Sequence, residues 1–268
     1  MPSPKIRSIS IIGAGNVAHH LAIALYKRKY KIDYVCNRSI YGARKLSARV
    51  GGKATTSYRK VLSSDAIVVA VSDGAIPAVS RSIATISAGA YPGVIMHTAG
   101  SVASEVLSVV GHHYGSLYPF QTFSIDRELD MRDVPFYISA SDESTRISMV
   151  KLGRSLSNQV SVISDEQRHA LHLSGVMMNN FVNHLLHKAE EYLLKYDLDR
   201  HHLLSLISET ISKVAVMSPF EAQTGPARRK DIETIEGHQD RLKHYPELRE
   251  IYSTITTSII KTYHENNR

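Results

Sequence analysis

A chain of 268 residues with 43% hydrophobic content can bury one large core or two moderate ones, and two is the expected division at this length. Its single cysteine, Cys36, excludes an internal disulfide. No charged-then-apolar leader and no apolar run of about 18 residues is visible, so a soluble, cytoplasmic protein with no membrane partner is expected. The formal charge of +7 is spread along the chain, and its densest cluster, Arg228-Arg229-Lys230, is short and lacks interleaved aromatics. A phosphate-rich small ligand explains the excess as well as nucleic acid does, and no nucleic-acid partner is expected.

The first predicted strand, around Ser8 to Ile12, runs into Gly13-Ala14-Gly15-Asn16-Val17-Ala18 and then a helix with an apolar face at Val17, Leu21, Ala24 and Leu25. A Gly-x-Gly-x-x-Ala turn in this place suits a pyrophosphate. Unpaired backbone N–H groups and the positive end of the helix dipole attract anions there. Gly13 would make the tight turn, Gly15 would let backbone approach phosphate, and Ala18 would keep helix close to strand, with Asn16 and Val17 in the first turn. The alternative is a glycine turn that only joins a strand to a helix.

The second strand is predicted over Lys31 to Cys36 and exits into Asn37-Arg38-Ser39, where an NAD site would place an acid for the ribose hydroxyls. An acid there would repel a 2′-phosphate. Arg38 can pair with that phosphate and stack on adenine, while Asn37 and Ser39 can donate to it, so NADP is the expected cofactor. A solvent-exposed turn arginine is the competing reading. Helices follow over 40–50 and 58–63, and Asp65 to Val71 is an apolar run of the sort a doubly covered parallel sheet requires. Its exit, Val71-Ser72-Asp73, lies where such sheets place ligands. Asp73 would reach the nicotinamide ribose, or Ser72 or Asp73 would cap the helix predicted over 76–88. Val94 to His97 is the next strand, its exit Thr98-Ala99-Gly100-Ser101 also facing the ligand, with a helix to about Val110. Gly115 to Phe123 is a strand entering a polar loop, and strands over 135–140 and 159–163 flank a helix over 143–157. Alternation of this kind up to residue 164 predicts a doubly wound α/β domain over 1–164.

From Asp165 no strand pattern remains, and an all-α domain is expected over 165–268. Glu166 to Lys195 reads as one long helix in which His169, His172, Val176, Asn180, His184 and His187 fall along one side. Such a stripe on an otherwise apolar helix either lines a cleft or is a solvated face. Nothing supports a metal site. Further helices are predicted over 199–218 and 246–263, and between them Thr224-Gly225-Pro226 precedes arginines suited to a substrate carboxylate.

Taken together, His97-Thr98-Ala99-Gly100-Ser101, Tyr118-Pro119-Phe120-Gln121-Thr122-Phe123, His172 with Asn180, and Thr224-Gly225-Pro226 with Arg229, Asp231 and His238 carry a resemblance over essentially the whole chain. The chain resembles bacterial proteins that join a Rossmann-like NADP-binding domain to a C-terminal helical domain of unknown function. These are grouped with pyrroline-5-carboxylate reductase, ketopantoate reductase, deazaflavin-dependent NADP oxidoreductase and 6-phosphogluconate dehydrogenase. The resemblance implies an NADP-dependent oxidoreductase passing a hydride between NADPH and a small keto or imino acid, and a homodimer paired through the helical domain. His172 and Asn180 would face the nicotinamide, His97 and Tyr118 would be the next proton donors, and Arg229 would anchor the carboxylate. Two positions depart from the pattern, Tyr118 in place of histidine and Lys230 in place of glycine. A tyrosine, with a reference pKa of about 10, is a poorer base near neutrality. The alternative reading is a non-catalytic NADP-binding sensor, for which the polar cluster of His97, Tyr118, Gln121, His172, Asn180 and Arg229 would have little use.

Overall fold

The computed structural model describes residues 3–265, and the chain divides into two compact units, Met1–Asn180 and Phe181–Arg268. In the first, β1 (Ser8–Ile12), β2 (Lys31–Cys36), β3 (Lys53–Thr55), β4 (Ala66–Val69), β5 (Val94–His97), β6 (Tyr114–Pro119), β7 (Phe136–Ala140) and β8 (Val160–Val162) form one eight-stranded sheet in the order β3-β2-β1-β4-β5-β6-β7-β8. The strands are parallel except where β6 meets β7. The helices of this unit are α1 (Asn16–Lys27), α2 (Ile40–Val50), α3 (Tyr58–Val61), α4 (Ile76–Ser87), α5 (Glu143–Leu156) and α6 (Asp165–Gly175).

Alternate residues of each strand feed opposite faces of the sheet. Along β4, Ala66 and Val68 pack with Leu21, Leu25 and Leu46, whereas Ile67 and Val69 pack with Val61, Val79 and Ile83. Both faces are therefore covered, which is why the run is continuously apolar rather than alternating. Each such fully buried valine or isoleucine stabilises the fold by about 1.5–3 kcal/mol. The order of strands reverses between β1 and β4, and the chain leaves these two strands in opposite lateral directions. A crevice at their carboxyl ends is the consequence.

Three predicted helices differ from what the chain forms. The stretch after Gly100 makes only a 3₁₀ turn, Ser104–Leu107. There the Val110 N–H bonds to Leu107 O at 3.0 Å while the Val106 carbonyl accepts from Ser80 Oγ at 2.6 Å, so the i→i+4 ladder is never closed. The long helix expected over 166–195 is α6, a π-helical turn (Val176–Phe181) and then α7 (Val182–Leu193). A π turn adds a residue to the repeat, so the 3.6 period that aligned His169 through His187 is not kept. The helix expected over 199–218 is shorter, α8 (His201–Val214), followed by a turn at α9 (Pro219–Ala222).

The unit boundary lies at Asn180, whereas the pattern change in the sequence placed it after residue 164. Helix α6 is tied to the sheet through Arg168, which is fully buried and donates to Ser139 Oγ on β7 at 2.6 Å, to Asp165 and to the Val102 carbonyl. The second unit is wholly helical among its described residues: α7, α8, α9, α10 (Pro226–Arg229), α11 (Ile232–Arg241) and α12 (Pro246–Ile260). Its buried side chains include Ala227, Ile235, Leu242 and Tyr263, and no residue of α7 or α8 is buried.

Candidate active site

The turn after β1 has the properties its glycines suggest. Gly13 sits at φ +118°, and a Cβ there would lie 2.1 Å from the Ala70 carbonyl oxygen of the neighbouring strand's exit. Only glycine is accommodated, on both backbone and contact grounds. Gly15 is different, because a Cβ on it would meet no protein atom within 4 Å. The fold does not demand a glycine there, and the open space over it is a cradle that a side chain would fill. Gly15 is also the N-cap of α1, with no side-chain cap and no acid in the first turn. The first N–H groups of the helix thus remain available to an anion. Beneath them Ala18 is fully buried against the sheet.

A cavity of about 510 Å³ opens over this turn. Its walls include Gly13, Gly15, Asn16, Val17, Asn37, Arg38, Val71, Ser72, Asp73, Thr98 and Ala99, all expected from the sequence. Ala18, Ser39 and Gly100 do not line it. Tyr58 at the start of α3, Ala75 in the 3₁₀ turn after β4 and Val79 in the first turn of α4 do, and no sequence motif marks them. Arg38 is exposed at the exit of β2, no carboxylate shares that exit, and the Asn37 amide donates to Ser39 O at 3.2 Å. Neither Ser72 nor Ser39 caps the helix it precedes through its side chain. Asp73 instead accepts from Ser101 Oγ, joining the exits of β4 and β5 across the crevice.

Of the residues expected to do chemistry, the structure brings Tyr118 and His172 together. The Tyr118 hydroxyl lies 3.0 Å from His172 Nδ1, with the rings edge-on at 5.9 Å. Burial, with the Asp73 charge adding to it, pushes the Tyr118 phenol up to about 12, so it keeps its proton throughout the physiological range. The phenol can therefore donate to Nδ1, and that assignment places the ring's proton on Nε2. Two glycines make room for this pair. A Cβ on Gly100 would lie 2.4 Å from His172 Nδ1, and one on Gly175 would lie 2.6 Å from the Phe120 ring that stacks edge-on against Tyr118. Gly100, expected beside the cofactor, is required by His172.

His97 is placed differently from the expectation of a proton donor. It is fully buried, its Nδ1 accepts from the Ala99 N–H at 3.2 Å, and burial with the Arg168 charge lowers it to about 4. It is a neutral support for the loop that lines the cavity. Asn180 is exposed in the π turn and makes no hydrogen bond to His172 among the described residues, and Gln121 donates nothing to the pair, its carbonyl accepting from the Thr122 N–H at 2.9 Å. In the second unit, Arg229 is exposed and lies 3.8 Å from Asp231. The next residue, Lys230, has φ +57°, a left-handed conformation that explains why glycine is the pattern's residue at that position. Among the described residues no group of three or more His, Cys, Asp or Glu is placed to hold a metal ion, and no helix is long and apolar enough to cross a membrane.

Residues 8–95 match the family model described as NADP oxidoreductase, coenzyme F420-dependent, and residues 134–259 match the domain of unknown function DUF2520. The chain is similar to the crystal structure of a candidate NADP oxidoreductase of Bacteroides fragilis, at 36% identity and a TM-score of 0.87, over 96% of this chain and 99% of that one. The fold is shared with a pyrroline-5-carboxylate reductase of Coxiella burnetii (20% identity, TM-score 0.55, 99% and 98% of the chains). It is also shared with a reductive aminase of Aspergillus terreus solved with NADPH and ethyl levulinate (14% identity, TM-score 0.70, 98% and 95% of the chains). No curated protein sequence matches the chain.

Proposed function

The chain belongs to the same family as the candidate NADP oxidoreductase of Bacteroides fragilis, and we propose that it binds NADPH in the crevice between β1 and β4 and reduces a small keto or imino acid. The observation that carries this reading is the turn itself: Gly15 leaves a space that no protein atom occupies, above a helix start that no side chain caps. Bound NADPH supplies a hydride to the carbon of a C=O or C=N bond. The protein's share is then to orient that bond and polarise it.

His172 polarises that bond in this reading: with Nδ1 held by Tyr118, the neutral ring donates an Nε2–H hydrogen bond to the oxygen or nitrogen, and solvent supplies the proton that completes the reduction. Tyr118 acts through His172 by fixing the tautomer, a role for which a phenol with a high pKa is better suited than a second imidazole. Asn180, exposed in the π turn that follows α6, orients the substrate. A homodimer completes the reading. It is supported by the helical unit, where Leu204, Leu206, Ile211, Val216 and Phe220 are 49%, 64%, 58%, 82% and 52% exposed.

Calorimetric titration with NADPH and NADH tests the cofactor. The Arg38→Ala variant is expected to lose roughly ten- to a hundredfold in NADPH affinity, the value of a charge-assisted hydrogen bond to the 2′-phosphate, with NADH affinity unchanged. Equal loss for both nucleotides would remove Arg38 as the discriminating residue, and no binding of either would remove the enzyme reading.

A further inference from the structure

A second cavity, of about 530 Å³, lies in the first unit between α1, the loop after β6 and the end of α5, and no residue lines both it and the crevice. Lys27, Arg28, Arg49, Arg127 and Arg132 surround it, against the carboxylates of Glu128 and Asp130. Asp130 is engaged as a helix cap, accepting from the Arg132 N–H at 2.9 Å. Among the described residues none of those five cations forms an ion pair with a carboxylate, although carboxylates elsewhere on the surface take up Lys31, Arg146 and Lys188. Like charges gathered around a concave wall repel one another and focus a positive field into it.

The walls are fixed rather than loose. His20 Nε2 donates to the Ser124 carbonyl at 2.9 Å and the Asn16 amide to the Phe123 carbonyl at 2.8 Å, stapling the loop to α1. Further along the loop, Met131 is buried in the core, and the Arg132 carbonyl accepts from the Asn158 N–H at 3.0 Å. Arg49 is held by a neutral acceptor, with its Nη1 2.8 Å from His19 Nε2. Burial and the Arg49 charge lower the pKa of that imidazole. A guanidinium anchored on a neutral ring keeps its whole charge, and its remaining N–H groups, for the cavity. The floor is apolar, formed by Ile23, Ala24, Leu129 and Leu156.

We propose that this cavity is a second small-molecule site, for an organic anion that carries at least two negative charges on a short apolar body. It is independent of the dinucleotide reading. The full chain is titrated at low ionic strength, where exposed charges are least screened, with inorganic phosphate and with glutarate, each in the presence of saturating NADPH. Saturable binding of either dianion is expected, weakened roughly tenfold or more in Arg49→Gln and in Arg132→Gln and unchanged in Arg38→Ala. Phosphate alone binding points to a phosphorylated ligand, and glutarate alone to a dicarboxylate. Arg132 carries the test if Arg49→Gln loses folding stability along with its bond to His19, since the Arg132 side chain has no hydrogen-bond partner among the described residues. Absence of saturable binding by both dianions, binding unchanged in Arg132→Gln, or binding lost in Arg38→Ala would each overturn the proposal.

Discussion

Tyr118 and His97 were equal candidates for proton transfer, and burial separates them. Tyr118, near the end of β6, meets His172, while His97 has no exposed surface. Tyr118→Phe keeps the ring that packs on Phe120 and removes only the hydroxyl. The imidazole then loses its fixed tautomer, and kcat is expected to fall about ten- to a hundredfold, below the full value of general acid catalysis, with NADPH affinity unchanged. Steady-state kinetics beside a binding titration checks this, and an unchanged kcat would leave the pair with a packing role only. His97 makes a different prediction. Its folded-state pKa, about 4, is below the ordinary 6.5, so the unfolded chain binds the extra proton between those values. Stability is therefore complete above pH 6.5 and declines as pH falls towards 4, by about 3 kcal/mol in all. Denaturant unfolding across that range should show the decline in the wild type and a flatter profile in His97→Gln.

Helix α6 shows how one element can belong to a unit its sequence pattern does not announce. Nothing in the 3.6 period of residues 165–175 distinguishes it from the helices that follow. Its allegiance is decided by a buried arginine, which links α6 to β7 and to the loop after β5. Asp165 completes the link, accepting from Ser139 Oγ at 2.6 Å and from Ser104 N–H at 2.5 Å. Burial alone would raise the Asp165 carboxyl, but these hydrogen bonds and the one from Arg168 outweigh it and hold it near 2. Its contribution is thus present above the ordinary carboxylate range and lost only as pH falls through about 2. Arg168→Met removes the cation from a partly buried carboxylate, 26% exposed, and breaks the arginine's bonds to β7 and the loop after β5. Destabilisation by about 3–5 kcal/mol is expected in denaturant unfolding. His172 should also lose its place, since it rides on the same helix, so NADPH binding should outlast turnover in whatever fraction remains folded.

At the scale of the molecule, the helical unit carries several large apolar side chains in the open. Leu206 and Val216 are 64% and 82% exposed, and no residue of α7 or α8 is fully buried. Exposed apolar side chains gathered into a patch mark an interface, and the proposed homodimer would bury them, obligate homodimers commonly burying about 2,000 Å² or more. Light scattering is expected to give twice the chain mass of 29.8 kDa at micromolar concentration. Leu206→Glu with Val216→Glu should shift that mass towards one chain, and a wild-type monomer would overturn the dimer.

The sequence by itself determined most of the strand-helix alternation of the sheet, though neither β3 nor the 3₁₀ crossing between β5 and β6, and with it the glycine turn and the missing acid after β2. Each is local: a period of two or 3.6, or a backbone conformation, is written in neighbouring residues. Strand boundaries at β7 and β8 were likewise readable within a residue or two of Phe136–Ala140 and Val160–Val162. Only the tertiary structure decided that Tyr118 holds His172, that Gly100 exists to admit that ring, that His97 is a neutral prop and that α6 sits with the sheet. It alone also revealed the π turn, which shifts the histidine stripe out of phase, and the cationic cavity beside α1. The physical reason is common to all of these. Desolvation, hydrogen-bond partnership and charge crowding depend on what lies within a few ångströms in space, and residues far apart in the chain supply it.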